Sequence, residues 1–197
     1  MSDEILGMGD KISATMSCGG SHVEKVEVDG YYTATCYDAN GNEKWSDTIE
    51  NLTTNVGRAS LNDAYLGNTA AGAIVMGLGG ANGSSTFTPA YGDTQASHAG
   101  WFEVGGANAP TYSGTRKTPT FSASTVANPA VKSTSAAVVF SMTGSGTVYG
   151  AFINVGGSST IDSTTGTLFS IGAFTAGSKT VTSGDTINVT YQLSAAG

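Results

Sequence analysis

A chain of 197 residues with 28 glycines, Ser or Thr at 50 positions and only 12% charged residues is built for strands and turns rather than helices. A net charge of −7 with one adjacent basic pair, Arg116-Lys117, leaves no footprint for nucleic acid, and periodic apolar runs up to the C-terminus exclude a disordered chain. No run is long enough to span a bilayer and the first residues carry no apolar signal region, so neither membrane insertion nor export is expected.

In chain order, residues 1–20 read as an N-terminal arm. Its apolar residues Ile5, Leu6, Met8, Ile12 and Met16 are scattered, it ends at Gly19-Gly20, and it is expected to order only against a neighbour. Residues 21–197 read as a single β-sandwich domain. Runs 22–29, 31–37 and 43–49 alternate apolar and polar side chains. Asn40-Gly41 between the last two predicts a type I′ turn with positive φ at both residues. The one helix is expected over 56–66. Thr54 or Asn55 caps it, Ala59, Leu61, Tyr65 and Leu66 share a side, and Gly67-Asn68 stops it.

Residues 73–78 read as a buried strand, 79–85 as a loop, and the stretch around 98–104 as a helical turn or short strand. Residues 116–124 read as a strand with Tyr112 nearby. The runs 136–142, 146–156, 166–174 and 179–193 close the chain. About eight to ten strands predict an all-β fold, a β-sandwich or jelly roll with one short helix. The closing strands carry little Lys, which predicts poorly guarded sheet edges and association with a second subunit.

The acids cluster in residues 1–63, which hold 11 of the 15. That region keeps the chain soluble or faces a basic partner. Cys18, Cys36, His22 and His98 match no zinc spacing, and the two thiols are expected to stay free in a reducing compartment. Asp38, Asn40 and Asn42 resemble the front of a calcium loop, but position twelve falls on Ile49, so a plain hairpin turn is expected. Residues 76–83 lack the Gly-Lys-Ser/Thr end of a phosphate loop. Asp93 and Glu103 are the carboxylates a glycosidase pair would draw on, yet nothing separates them from solvated charges. No catalytic residue, metal or cofactor is assigned, and no enzyme activity is expected. The aromatics read mostly as core.

Several segments carry a resemblance. They are D-x-N-G-N-x-K-W over 38–45, N-L-x-T-N over 51–55, H-A-G-W over 98–101, G-x-L-F-x-x-G-x-F over 166–174, and V-x-S-G-D-T-x-N-V-T-Y over 181–191. Together they span most of residues 31–193. The chain thereby resembles virion structural proteins of tailed bacteriophages, of the capsid decoration, or cement, type. The resemblance implies a protein on the capsid surface, made in the host cytoplasm, with the major capsid protein and copies of itself, in a trimer, as partners. It implies no nucleic-acid, membrane or small-molecule ligand. Ile5, Leu6, Met8, Ile12 and Met16 are then the expected capsid contacts. The alternative is a tail or head-fibre module that binds a host receptor through loops 79–89 and 105–112. Relatives often carry an Arg-Pro tryptophan segment where this chain has Arg116-Lys117-Thr118-Pro119.

Overall fold

The computed structural model describes residues 27–67, 70, 72–81 and 86–196. Strands make up 48% of the fold against a single short helix, which is the all-β, sandwich-like architecture that the composition predicts. In chain order the elements are β1 (Glu27–Tyr37), β2 (Glu43–Thr53), α1 (Asn55–Tyr65), β3 (Ile74–Gly80), β4 (Phe102–Val104), β5 (Ala130–Ser133), β6 (Val138–Ser141), β7 (Gly146–Val148), β8 (Gly150–Val155), β9 (Thr167–Phe174), β10 (Lys179–Val181) and β11 (Thr186–Ala196). Nine strands form one antiparallel sheet in the order β4-β3-β8-β9-β2-β1-β11-β5, with β6 also beside β11; β7 and β10 form a second, two-stranded sheet.

Period-two alternation sets the core. Tyr32, Ala34 and Cys36 of β1 and Ile187, Val189 and Tyr191 of β11 are buried on one face, with threonines on the other. Val148 and Val181 of the small sheet join the same cluster, so the two sheets pack on a common core. β8 and β9 are buried on both faces. Phe152, Leu168 and Ile171 gather with Trp101 in a second cluster, away from Ile153 and Phe169. A bulge makes this possible: the partner of Ile153 is Ser170 but that of Asn154 is Leu168, leaving Phe169 as the extra residue.

Four expectations change. The 38–42 turn has positive φ at Gly41 only (84°), and Asp38 bonds Asn42 across the loop. It is a three-residue loop with a bulged glycine rather than type I′. Helix α1 is capped by Thr54 and ends before Gly67 (φ 74°) as expected, but it packs through Gly57, Ser60 and Leu61. Ala59, Tyr65 and Leu66 are exposed, because the close approach of Gly57 decides which side meets the sheet. Residues 116–124 form only isolated bridges, Met76 with Lys117 and Phe121 with Thr134. The Lys-poor strands β8, β9 and β11 lie inside the sheet with partners on both sides, so they need no edge protection. The outer side of β5 is itself covered, since Ser122 and Thr125 donate to Ser133 and Val131.

Candidate functional site

An apolar groove of about 480 Å³ lies between α1 and the core face of the sheet. Its floor is Ile153, Phe169 and Tyr191, and its walls are Leu61, Ile74, Phe121, Val155 and Leu193. The helix wall is held by one residue. Thr54 is fully buried; its Oγ1 accepts from Gly57 N (2.9 Å) and donates to Leu168 O (2.5 Å), while its own N–H donates to Phe169 O (3.1 Å). A Cβ on Gly57 would stand 2.2 Å from Phe169 O, so only glycine lets the helix sit this close. This N-L-T-T-N segment therefore serves as the hinge pin of the groove.

On the opposite face of β8 lies a buried polar knot. Arg116 donates to both carboxylate oxygens of Glu103 (2.8 and 2.6 Å) and to the carbonyls of Ser158 (3.0 Å) and Ser163 (2.7 Å). Its guanidinium lies 5.5 Å from the centre of the Phe152 ring. Glu103 also accepts from Asp162 N, and Asp162 in turn accepts from Ala107 N. Asp162 holds a left-handed φ of 62° in doing so. Burial raises the Glu103 carboxyl above its ordinary range, against the opposing pull of Arg116. Asp93, the other carboxylate, accepts from Trp101 Nε1 (3.0 Å) and Ala90 N (2.9 Å). Each carboxylate thus serves its own set of donors.

The remaining candidates are also framework. In H-A-G-W, the His98 ring stacks on Trp101 at 4.0 Å, and Gly100 is required because Thr88 O would lie 2.2 Å from a Cβ. Asp38 accepts from Asn40 N, Asn42 N and Asn42 Nδ2, which spends its oxygens on the turn. Lys44 binds Asp185 at 2.5 Å, and Asp185 also accepts from Thr182. Trp45 donates to Thr180 O (3.2 Å), so the first hairpin and the S-G-D turn clasp each other. Cys36 is buried beside Asp185, and burial, helped by that carboxylate, pushes its thiol up to about 11. Among the described residues, no three His, Cys, Asp or Glu side chains gather to hold a metal.

Ile5, Leu6, Met8, Ile12, Met16, Cys18 and His22 lie outside the described residues. Sequence reasoning missed the groove, whose walls come from five separate elements. It also missed the Glu103–Arg116 pair, for which the only signal was one acid and the Arg116-Lys117 pair in an otherwise uncharged stretch. No known protein family, curated protein or solved structure matches this chain.

Proposed function

We propose that the chain is a bacteriophage capsid decoration protein. It binds the outer surface of the head and stabilises the shell through contacts with the major capsid protein and with copies of itself. The observation that carries this reading is how the resemblance motifs are used. Lys44, Trp45, Thr54 and Asp185 tie one element of the sandwich to another by hydrogen bonds, and Trp101 does so by packing on Phe152 of β8. The residues of these motifs are thus spent on rigidity, which is what a clamp on a pressurised shell requires. The exposed apolar side chains Tyr65 (89% exposed) and Leu66 (81%) at the end of α1, with Tyr91 and Val126, offer contact points. About 800 Å² per partner suffices for each contact, and engagement of several neighbours multiplies it. A closed trimer suits a position where three capsomers meet.

The test is the copy number in purified particles, measured by densitometry against the major capsid protein. Hundreds of copies, released late as particles are denatured, are the expected result. A few copies per particle, with an antibody against the chain blocking adsorption to the host, would assign it instead to a receptor-binding fibre.

A further inference from the structure

The outer face of the main sheet is covered over only part of its width. Over β8 and β9, Trp101 and Phe87 lie on Phe152 and Ile171. Over β2, β1 and β11 the face is bare: Thr48, Glu50, Tyr31 and Thr190 are all exposed. Register sets the side chains of this bare part in rows. Tyr31 pairs with Glu50 on one side and with Gln192 on the other; Glu50 pairs with Ala173, and Gln192 with Ser133. That row crosses five strands, about 19 Å at ~4.8 Å per strand. Thr33, between Thr48 and Thr190, forms the next row. In the row beyond it, Asn188 Oδ1 has no hydrogen-bond partner among the described residues.

Charge and area say what this face fits. The ionisable groups in its rows and at its ends are the acids Glu27, Asp29, Glu43 and Glu50, and none of its paired residues is Lys or Arg. An anionic ligand is repelled there. A neutral ligand rich in hydroxyls meets Thr, Ser, Asn and Gln side chains that both donate and accept. From Tyr31 to Tyr37 the face is about 20 Å long, so it offers on the order of 400 Å². That is half of the about 800 Å² that each side of a stable protein interface buries. The patch is therefore too small for a second copy of the chain and ample for a short oligosaccharide.

At the Ala173 end of the first row, Pro89 and Tyr91 line a cleft of about 370 Å³ together with Glu50 and Ala173. Arg58 lies over the Tyr91 ring at 5.3 Å, and that tyrosine is still 58% exposed; Tyr31 is 43% exposed. A pyranose has a face of C–H groups and a rim of hydroxyls. It lies flat on a tyrosine ring while carboxylate and amide groups hold its edge. Tyrosine gives such contact at little cost in side-chain entropy. We propose that the row from Tyr91 to Gln192 is a binding track for a neutral oligosaccharide. Tyr91 and Tyr31 are its stacking platforms, and Glu50 and Gln192 bind hydroxyls. Tyr91 is thereby assigned to the ligand, and Tyr65, Leu66 and Val126 are left as contact points for the shell. The assignment does not rest on the function proposed above and is tested without particles.

The experiment screens the full chain on an array of immobilised neutral gluco-, manno-, galacto- and N-acetylglucosamine oligosaccharides and their sulfated or uronic acid counterparts. The best neutral tetrasaccharide is then measured by calorimetry. Binding to at least one neutral class, and to no acidic one more tightly, is expected. Tyr31→Ala and Tyr91→Ala are each expected to weaken it about tenfold or more. Asp63→Ala, on the far face beside the groove, leaves it unchanged. Far-UV circular dichroism checks the fold, and if Tyr31→Ala does not fold, Gln192→Ala is read in its place. The proposal is overturned if no neutral oligosaccharide binds at millimolar concentration, if an acidic one binds more tightly, or if the tyrosine variants keep full affinity. It is overturned equally if sedimentation shows an oligomer that Tyr31→Ala dissociates, which would give the face to a second copy.

Discussion

Strand β8 separates two regions that solve opposite problems. On one face Phe152 looks onto the Glu103–Arg116 knot; on the other, Ile153 and Val155 look onto the apolar groove. The knot is closed. Its charges are matched at 2.6–2.8 Å, and the guanidinium bonds two further carbonyls. The groove is open. A buried charge tolerates only partners fixed in place, because every missing bond costs desolvation energy, whereas apolar surface accepts any occupant that excludes water. Closure by charge is thus written into specific residues of the domain, while the apolar lining of the groove specifies no partner by charge.

The largest effect is expected at the knot. Arg116→Met leaves Glu103 buried without its partner, a loss of about 3–5 kcal/mol, or about 10 °C or more in Tm, measurable by thermal and urea unfolding. The double variant Glu103→Leu/Arg116→Met recovers much of that loss, because no lone charge remains. If the single and double variants prove equally unstable, the pair is not the closing element.

Next come the residues that hold the groove wall. Thr54→Ala removes the cap and the bond to Leu168 O, for about 1–2 kcal/mol. Gly57→Ala pushes α1 off Phe169 for about 1–3 kcal/mol. Both losses are expected to add to that of Arg116→Met in double variants followed by thermal unfolding, because the helix wall and the knot share no partners.

Acid separates the knot from the Asp47 and Asp185 ion pairs by sign. Burial alone would raise Asp47, but bonds from Lys179, Thr175 and Ala176 win and hold it at about 2; Asp185 is lowered likewise by Lys44 and Thr182. A carboxyl lowered on folding contributes stability that is present above its unfolded value near 4 and is lost as pH falls through the folded one. Glu103, raised on folding, behaves oppositely: its contribution is full at low pH and fades as pH rises through its folded value. Stability should therefore drop between about pH 4 and 2, and Asp47→Asn should flatten that drop by a few degrees in Tm. The smallest effect concerns Cys36. With its thiol pushed up to about 11, it should resist a thiol reagent at pH 8 until the chain unfolds.

Local pattern in the sequence was enough for the all-β class, a helix cap at Thr54 or Asn55, the stop at Gly67 and most of the closing strands. These depend on alternation, capping and turn chemistry, which act between residues close along the chain. Even so, local pattern misjudged the Asn40-Gly41 turn and the packed side of α1. A bulge at one end of the turn and the contact of Gly57 with a carbonyl 112 positions away decided those. The extended run at 116–124 looked like a strand because its composition suits one, yet it found only isolated bridges. Strands β8, β9 and β11 looked poorly guarded because they lack lysine, but inside the sheet they need no guard.

From its residues alone, then, the chain determines that it will make sheets, where most of them turn, and which side chains alternate inward. Only tertiary structure determined which sheet faces meet, that Arg116 reaches Glu103, and that five elements leave an apolar groove open beside the first residue of β1. Those outcomes depend on strand order and on contacts between residues far apart in sequence, where burial strengthens charge pairing and close packing admits nothing larger than glycine.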